Sequence, residues 1–475
     1  MVPTATHLNN FIGGRFVCAA GGGRIDVVDP TTEEVIASVD EATPADVDAA
    51  VAAAVAAFPS WSATEPGVRA DLLRRLGAAL TERGGALARL ISREIGSPLS
   101  FSEGTQVGLP IKVVDALAEV VDAYEGEERI GPSLVVKEAA GVAGAITPWN
   151  YPLHQVVAKV AAALGAGCTV VVKPSEVAPL SVLVLAEILD ELELPPGVCN
   201  VVTGYGPVVG EAIAAHPHVD VVSLTGSPAA GRRVMELAAP LTKRVTLELG
   251  GKSATIVLDD VEMEAVLPGC VVQVFRNSGQ NCSALSRLIV PRAWLTRVEE
   301  IAAHLANTHV VGDPFDPATQ MGPLVSALQR DRVRAHIRRA LDDGARLVAG
   351  GLDPPPGLDR GYFVRPTVLS GIDRSMAVAQ DEVFGPVLCL LPYDSEADAI
   401  EIANDSRYGL AGAVWSADSA RADRVARKMR TGRVVVNGGE FNVLAPFGGY
   451  RGSGIGREFG RYGLEEYLEV KTLQC

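Results

Sequence analysis

A chain of 475 residues is too long for one ordinary core, so two or three domains are the starting expectation. Its 48% hydrophobic content supplies ample material for buried cores, and 49 Gly and 30 Pro punctuate many short elements. With 57 acidic against 42 basic residues and a net charge of −15, the surface repels phosphate backbones, which argues against nucleic acid as a partner.

The segment from Met1 to Asn10 has neither an apolar export core nor an Arg-rich amphipathic pattern. The longest nearly apolar run, 161–172, is far too short to span a membrane. A cytoplasmic protein with no membrane partner is therefore expected. Thr43-Pro44-Ala45-Asp46 opens a helix to about residue 58, with Thr43 as N-cap, Pro44 in the first position and Asp46 closing a capping box. More helical pattern covers 67–95 and 111–124. From Gly141 the texture changes. Strands over 141–147, 169–173, 198–203, 219–224 and 245–249 alternate with helices over 152–164, 181–192, 208–215 and 228–238. Such alternation implies a parallel sheet covered by helices on both faces, with ligands at the carboxyl ends of its strands. A second alternating region runs from 254 to about 436, with seams expected at 247–251 and 438–447 and a proline-rich surface loop at 353–359. The tail over 466–472 alternates as a strand does. Seven scattered cysteines (Cys18, Cys168, Cys199, Cys270, Cys282, Cys389 and Cys475) form no CxxC pair and no Cys/His cluster. They read as reduced, mostly buried thiols, with no metal site.

Three strings carry chemistry. In Ile146-Thr147-Pro148-Trp149-Asn150-Tyr151-Pro152 two prolines fence a strand-to-helix turn and fix the direction of Asn150. In Val245-Thr246-Leu247-Glu248-Leu249-Gly250-Gly251-Lys252 a carboxylate sits inside an apolar run, which is costly unless it is paired or neutralised. In Asn277-Ser278-Gly279-Gln280-Asn281-Cys282-Ser283 a thiol lies in a polar segment at an expected helix start, where a depressed pKa would make it nucleophilic. Read singly, each has a plainer alternative: a turn Asn, a carboxylate escaping at a strand end, a small core thiol. Two further strings suit a nucleotide. Lys173-Pro174-Ser175-Glu176 offers a cation and a carboxylate to ribose hydroxyls, and in Thr225-Gly226-Ser227-Pro228 a capped helix start leaves free N–H groups for a pyrophosphate.

Together and in this order, the strings resemble the aldehyde dehydrogenase superfamily, and the likeness covers nearly the whole chain. It extends through Asp381-Glu382-Val383-Phe384-Gly385-Pro386, Asn404-Asp405-Ser406-Arg407-Tyr408-Gly409-Leu410 and Pro446-Phe447-Gly448-Gly449-Tyr450-Arg451-Gly452-Ser453-Gly454. Arg451 stands where a Lys is usual, Leu224 where a Phe is usual, and Glu94-Ile95-Gly96-Ser97-Pro98 replaces a Thr/Lys version. The resemblance implies an α/β fold with a Rossmann-type parallel-sheet cofactor domain (1–120 and 140–250) and an α/β catalytic domain (251–453). It adds a small β oligomerisation element (121–139 and 454–475) that makes a homodimer or homotetramer.

It also implies that Cys282 attacks an aldehyde, that Asn150 and the Cys282 backbone N–H hold the oxyanion, and that Glu248 activates the hydrolytic water. The cofactor set is Ile146, Thr147, Pro148, Trp149, Lys173, Ser175, Glu176, Gly206, Thr225, Gly226, Ser227, Leu249, Gly250, Glu382 and Phe384. Within it Lys173 and Glu176 take the adenosine ribose, Gly226 and Ser227 the pyrophosphate, Glu382 the nicotinamide ribose and Phe384 the nicotinamide. The Glu176 carboxylate repels a 2′-phosphate, so NAD is favoured, with NADP as the alternative. Pocket positions are Tyr151, Gln155, Ala158, Asn281, Ser283 and the loop 440–444; a small Ala158 implies a roomy pocket for medium or aromatic aldehydes. A CoA-acylating semialdehyde dehydrogenase would dispense with Glu248, an acyl-phosphate reductase would lack the Asn150 and Glu248 strings, and a non-catalytic protein on this scaffold would have lost Cys282 or its partners.

Overall fold

The computed structural model describes residues 7–474, so residues 1–6 of the leader reading, the outermost ends of the expected domains and Cys475 lie outside it. The first helix, Pro44–Ser62, begins where its cap signals place it. Asp46 accepts hydrogen bonds from both the backbone N–H and the hydroxyl of Thr43, each at 2.8 Å, and from the Ala20 N–H at 3.0 Å. The helix runs on past Pro59 because Trp61 is buried and anchors its last turn. The pattern read over 67–95 resolves into two helices, Pro66–Glu82 and Gly84–Ile95, and the second stops at Gly96, whose φ of 73° the left-handed region allows to glycine without strain. The next helix, Gly108–Asp122, follows a wide π-helical turn over Ser102–Val107.

An eight-stranded sheet runs in the order Gly454–Ile455, Arg244–Leu249, Val221–Gly226, Val142–Ile146, Thr169–Lys173, Cys199–Val201, Asn10–Ile12, Arg15–Val17. Its five central strands are parallel and coincide with those read from the alternation. The chain steps outward from Val142–Ile146 in one direction, then returns to place Val221–Gly226 on its other side. The carboxyl ends of those two strands therefore flank a topological switch point, where such sheets bind ligands. A seven-stranded sheet follows in the order Arg346–Ala349, Thr367–Ser370, Val387–Tyr393, Arg287–Pro291, Ala254–Val257, Ala411–Trp415, Arg433–Val436. Segments that enter its strands at their amino ends, before Ala254, Arg287 and Val387, carry Gly250–Gly251, Cys282 and Glu382. The site thus lies between the carboxyl edge of one sheet and the amino edge of the other.

Smaller β elements flank these sheets. Leu468–Gln474 pairs antiparallel with Ser133–Ala139, which pairs with Glu127–Ile130. A hairpin, Gly23–Asp29 with Glu34–Glu41, and the two short strands at 10–17 were not expected, because mixed polar residues at a sheet edge lack a clear period. Among the described residues no helix is long and apolar enough to cross a membrane. Six cysteines there are free; Cys168, Cys199, Cys270 and Cys389 are buried, whereas Cys18 is exposed. The structure accounts for two of the unusual residues as well. Glu94 is buried and accepts from the Leu180 and Ser181 N–H groups at the start of helix Leu180–Glu191, and Arg451 donates to the Asn404 and Ser406 carbonyls.

Replacing Asp46 by Ala leaves the Thr43 N–H and hydroxyl and the Ala20 N–H, partly shielded from water, without their acceptor. It should cost about 1–2 kcal/mol, read as a lower urea midpoint, and Asp46→Asn should recover part of the loss. An unchanged midpoint in the Ala variant would show that this cap contributes nothing.

Candidate active site

The loop that carries Cys282 is held by buried amides. Asn277 and Ser278 have φ of 51° and 57°, an uncommon conformation for such residues, and both side chains are bonded inward. The Asn277 Nδ2 donates to the carbonyls of Asn150 and Gln280 at 3.0 and 3.2 Å, and the Ser278 hydroxyl donates to the Gly322 carbonyl. Gln280 accepts from the Val325 N–H through its side chain. Cys282 follows this strained 3-10-like segment in a turn, and not at the helix start that was expected. Its thiol is accordingly not depressed. Burial pushes it up to about 12, reinforced by the negative charges of Glu382, Glu248 and Glu458, while Arg433 pulls the other way. In the absence of ligands Cys282 is therefore a thiol and needs a proton acceptor to react.

Asn150 is buried at the turn after strand Val142–Ile146. Its Nδ2 donates to the Gln280 carbonyl at 3.0 Å, which leaves one further N–H on the same nitrogen. Its own carbonyl accepts from Gln106 and Asn277, both at 3.0 Å. Glu248, 5% exposed, ends strand Arg244–Leu249 between Thr225 and Gly454, so its side chain does not escape to solvent. Neither of its carboxyl oxygens has a hydrogen-bond partner among the described residues. Burial raises its pKa well above the usual carboxylate range and nearby Glu458 adds to this, while Lys159 opposes. Lys159 and Glu458 form a buried ion pair at 2.5 Å beside it. The carboxyl fits because residue 448 is glycine: a Cβ there would lie 2.7 Å from Glu248 Oε1. Gln106, Lys159 and Glu458 were not legible in the sequence, since each acts through contacts with chain far removed.

Two cavities meet at Cys282. One, of about 290 Å³, opens at the switch point of the first sheet. Pro148, Trp149, Thr225, Gly226, Ser227, Leu249, Gly250, Glu382 and Phe384 line it together with Asn150, Glu248 and Cys282. Trp149 and Phe384 meet edge to face at 5.4 Å, and Phe384 is held at φ 55° with its carbonyl bonded to Gln329. Glu382 accepts the Gly251 N–H at 3.2 Å, and burial raises its carboxyl to about 7. A side chain at Gly250 would collide with that carboxylate. The Ser227 hydroxyl caps helix Pro228–Ala238 by accepting from the Ala230 N–H at 3.2 Å. Lys173 is buried and pairs with Glu176 at 2.8 Å; burial lowers its pKa, and Glu176 offsets part of that. These two residues, with Ile146, Thr147, Ser175 and Gly206, are not on the lining, although the Thr147 N–H bonds the Lys173 carbonyl at the adjoining strand ends. Gln329, Arg332 and His336 join the lining unanticipated.

The other cavity measures about 340 Å³ and receives Tyr151, Gln155, Asn281 and Ser283, as expected. Its apolar walls are Phe101, Phe441, Phe447 and Phe459, with Phe447 and Phe459 5.7 Å apart. Of the loop 440–444 only Phe441 reaches the lining. Ala158 corrects an expectation. It lies behind the wall in an apolar cluster with Val113, Phe447 and Phe459, so its small size does not by itself widen the cavity. Lys112, Arg276 and Arg433 complete the lining, and none was foreseen.

Residues 16–473 match the model of the aldehyde dehydrogenase family. The chain belongs to that family. This dehydrogenase is 47% identical over 469 residues to 3-succinoylsemialdehyde-pyridine dehydrogenase of a Pseudomonas species, covering 98% of this chain and 97% of that protein. It is 42% identical over 467 residues to a putative aldehyde dehydrogenase of Staphylococcus epidermidis, covering 98% of each. Its fold superposes with a TM-score of 0.98 on a cysteine-to-alanine variant of aldehyde dehydrogenase C from Pseudomonas syringae in complex with NAD+ and octanal. That protein is 46% identical, with 100% of this chain and 98% of that one covered. Betaine aldehyde dehydrogenase of Staphylococcus aureus in complex with NAD+ gives a TM-score of 0.96 at 37% identity, covering 99% and 94%. The aldehyde dehydrogenase fold read from the sequence is thereby confirmed.

If Cys282 rests as a thiol, its alkylation by iodoacetamide should keep accelerating from about pH 7 to about pH 10, roughly tenfold per pH unit, when followed by mass spectrometry of its peptide. A plateau near neutral pH would mean that a thiolate is already stabilised in the free protein.

Proposed function

We propose that this dehydrogenase oxidises an aldehyde to a carboxylic acid with NAD as hydride acceptor, through a thioester on Cys282. The observation that carries the reading is that Cys282 lines both cavities, with Asn150 and the unpartnered Glu248 on the nucleotide side. Several features suit the dinucleotide: the switch-point position, the Ser227-capped helix start, the glycine that lets Glu382 approach, and the buried Thr225 hydroxyl with no protein partner. The NAD+ held by two similar proteins supports the same choice. Ile146, Thr147, Ser175 and Gly206 complete the set near the adenosine end, where Lys173 and Glu176 would meet the ribose.

In this mechanism Cys282 Sγ attacks the carbonyl carbon and its proton passes to a base; Glu248 is the unpaired carboxyl at hand, with a pKa raised toward the working range. The oxyanion is met by the free Asn150 N–H and the Cys282 backbone N–H. NAD, held by the residues that line the nucleotide cavity, would supply the acceptor for the hydride that leaves as the tetrahedral carbon collapses. Once Glu248 has passed the thiol proton to solvent, it takes a proton from water as that water attacks the thioester; the C–S bond breaks, Cys282 Sγ leaves as a thiolate that regains a proton, and the acid departs. The presence of Glu248 favours hydrolysis over acyl transfer to CoA. The Phe-walled cavity suits the body of a medium or aromatic aldehyde, in line with the octanal and the pyridine-bearing semialdehyde of the two relatives.

A cofactor domain (1–120 and 140–250), a catalytic domain (251–453) and an oligomerisation element (121–139 and 454–475) are the proposed division. The exposed Ile130, Val470 and Leu473 on the small three-stranded sheet support a homodimer or homotetramer in the cytoplasm.

Glu248→Gln should lose steady-state turnover and, mixed with NAD and aldehyde, either trap an acyl mass on Cys282 or, if Glu248 also deprotonates the thiol, slow both steps. Near-normal turnover would remove Glu248 as the base. Asn150→Ala should lose roughly two to three powers of ten in kcat; a change confined to KM would reduce it to a substrate contact. For the nucleotide, kcat/KM should favour NAD, and Glu176→Gln should raise NADP use. A native preference for NADP would overturn the electrostatic argument.

A further inference from the structure

The cavity on the substrate side is cationic in a strongly acidic protein. Lys112, Arg276 and Arg433 line it, and no Asp or Glu does. Of the three carboxylates that raise the Cys282 pKa, Glu248 and Glu382 lie on the nucleotide cavity and Glu458 lies on neither. Arg433 is the informative cation. It opens strand Arg433–Val436 and is partly buried, with its guanidinium carbon 5.0 Å from the centre of the Phe441 ring and 5.9 Å from that of Phe447. Its Nε is buried with no hydrogen-bond acceptor among the described residues. A half-buried, aromatic-clasped guanidinium whose inner N–H has no acceptor is costly, and burial already pushes its pKa down. Its planar fork fits a carboxylate through two parallel N–H bonds.

We propose that Arg433, aided at the cavity by Arg276 and Lys112, binds a carboxylate at the far end of the substrate, so that the preferred substrates are ω-oxo carboxylic acids of medium length. The phenylalanines hold the intervening methylenes and Cys282 receives the aldehyde end. The product is then a dicarboxylate, whose second carboxylate forms at Cys282, close to Glu248. This inference rests on the dehydrogenase reading and narrows its substrate.

The test compares ω-oxo acids, from succinate semialdehyde to suberate semialdehyde, with alkanals of the same carbon number, following NADH. At low salt the best oxo acid should exceed its matched alkanal by about tenfold or more in kcat/KM, and the gap should shrink at about 0.5 M NaCl. Adipate should inhibit competitively against hexanal. In Arg433→Met the KM for the oxo acid should rise at least about tenfold more than that for the alkanal, and Arg433→Lys should restore part of the difference. Equal use of both series by the native enzyme, or equal losses in Arg433→Met, overturns the carboxylate site while leaving the dehydrogenase standing. If neither series yields NADH, the dehydrogenase reading itself fails. Should Arg433→Met not fold, the native preference and the adipate inhibition decide the matter.

Discussion

The site depends on a few buried amide hydrogen bonds that join two sheets. Asn277 Nδ2 reaches the Asn150 carbonyl and Asn150 Nδ2 reaches the Gln280 carbonyl, each at 3.0 Å, across more than a hundred residues of chain. One end lies on the loop leaving the first sheet and the other on the loop entering the second. An unpaired amide in this dry setting is expensive, so the pairs make a relative shift of the two loops costly. They also explain why Asn277 and Ser278 tolerate left-handed backbone: the bonds made on both sides over-determine it. Asn150 and the loop that carries Cys282 are thereby fixed to one another.

Burial then sets the chemistry. Glu248 has no hydrogen-bond partner among the described residues to hold it ionised, so burial, with Glu458 nearby, raises its pKa well above the usual carboxylate range. The same dryness and the neighbouring carboxylates keep the Cys282 sulfur protonated at rest. A nucleophile of this kind is quiet until its surroundings change, which protects it from casual oxidation and alkylation. Charge differs between the two cavities that meet at the sulfur: one carries Glu248 and Glu382 together with Arg332, the other Lys112, Arg276 and Arg433 with no carboxylate. That difference gives the two cavities different tastes even though they share one atom.

Much was legible because it rests on local rules. The capping box at Thr43 and Asp46, the five parallel strands and the Ser227 cap all obey short-range geometry, and motif order carried the family. Other readings failed for a physical reason. A depressed thiol was expected from polar neighbours in the chain, yet the pKa of Cys282 is raised by burial and by Glu382, Glu248 and Glu458, none of them a chain neighbour. Ala158 was read as a pocket residue by its place in a motif, but which side of a cavity wall a helix turns is decided by packing.

By itself the sequence determined the elements, their alternation, the parallel sheet and the motifs in which Cys282, Glu248 and Asn150 stand, since each follows from residues adjacent or periodic in the chain. Only the tertiary structure decided the ionisation of those groups, the Lys159–Glu458 pair beside the base and the cationic lining around Arg433. Desolvation and Coulomb forces act through space, and no spacing along a chain reports how closely a fold will bring two charges together or how dry it will leave them.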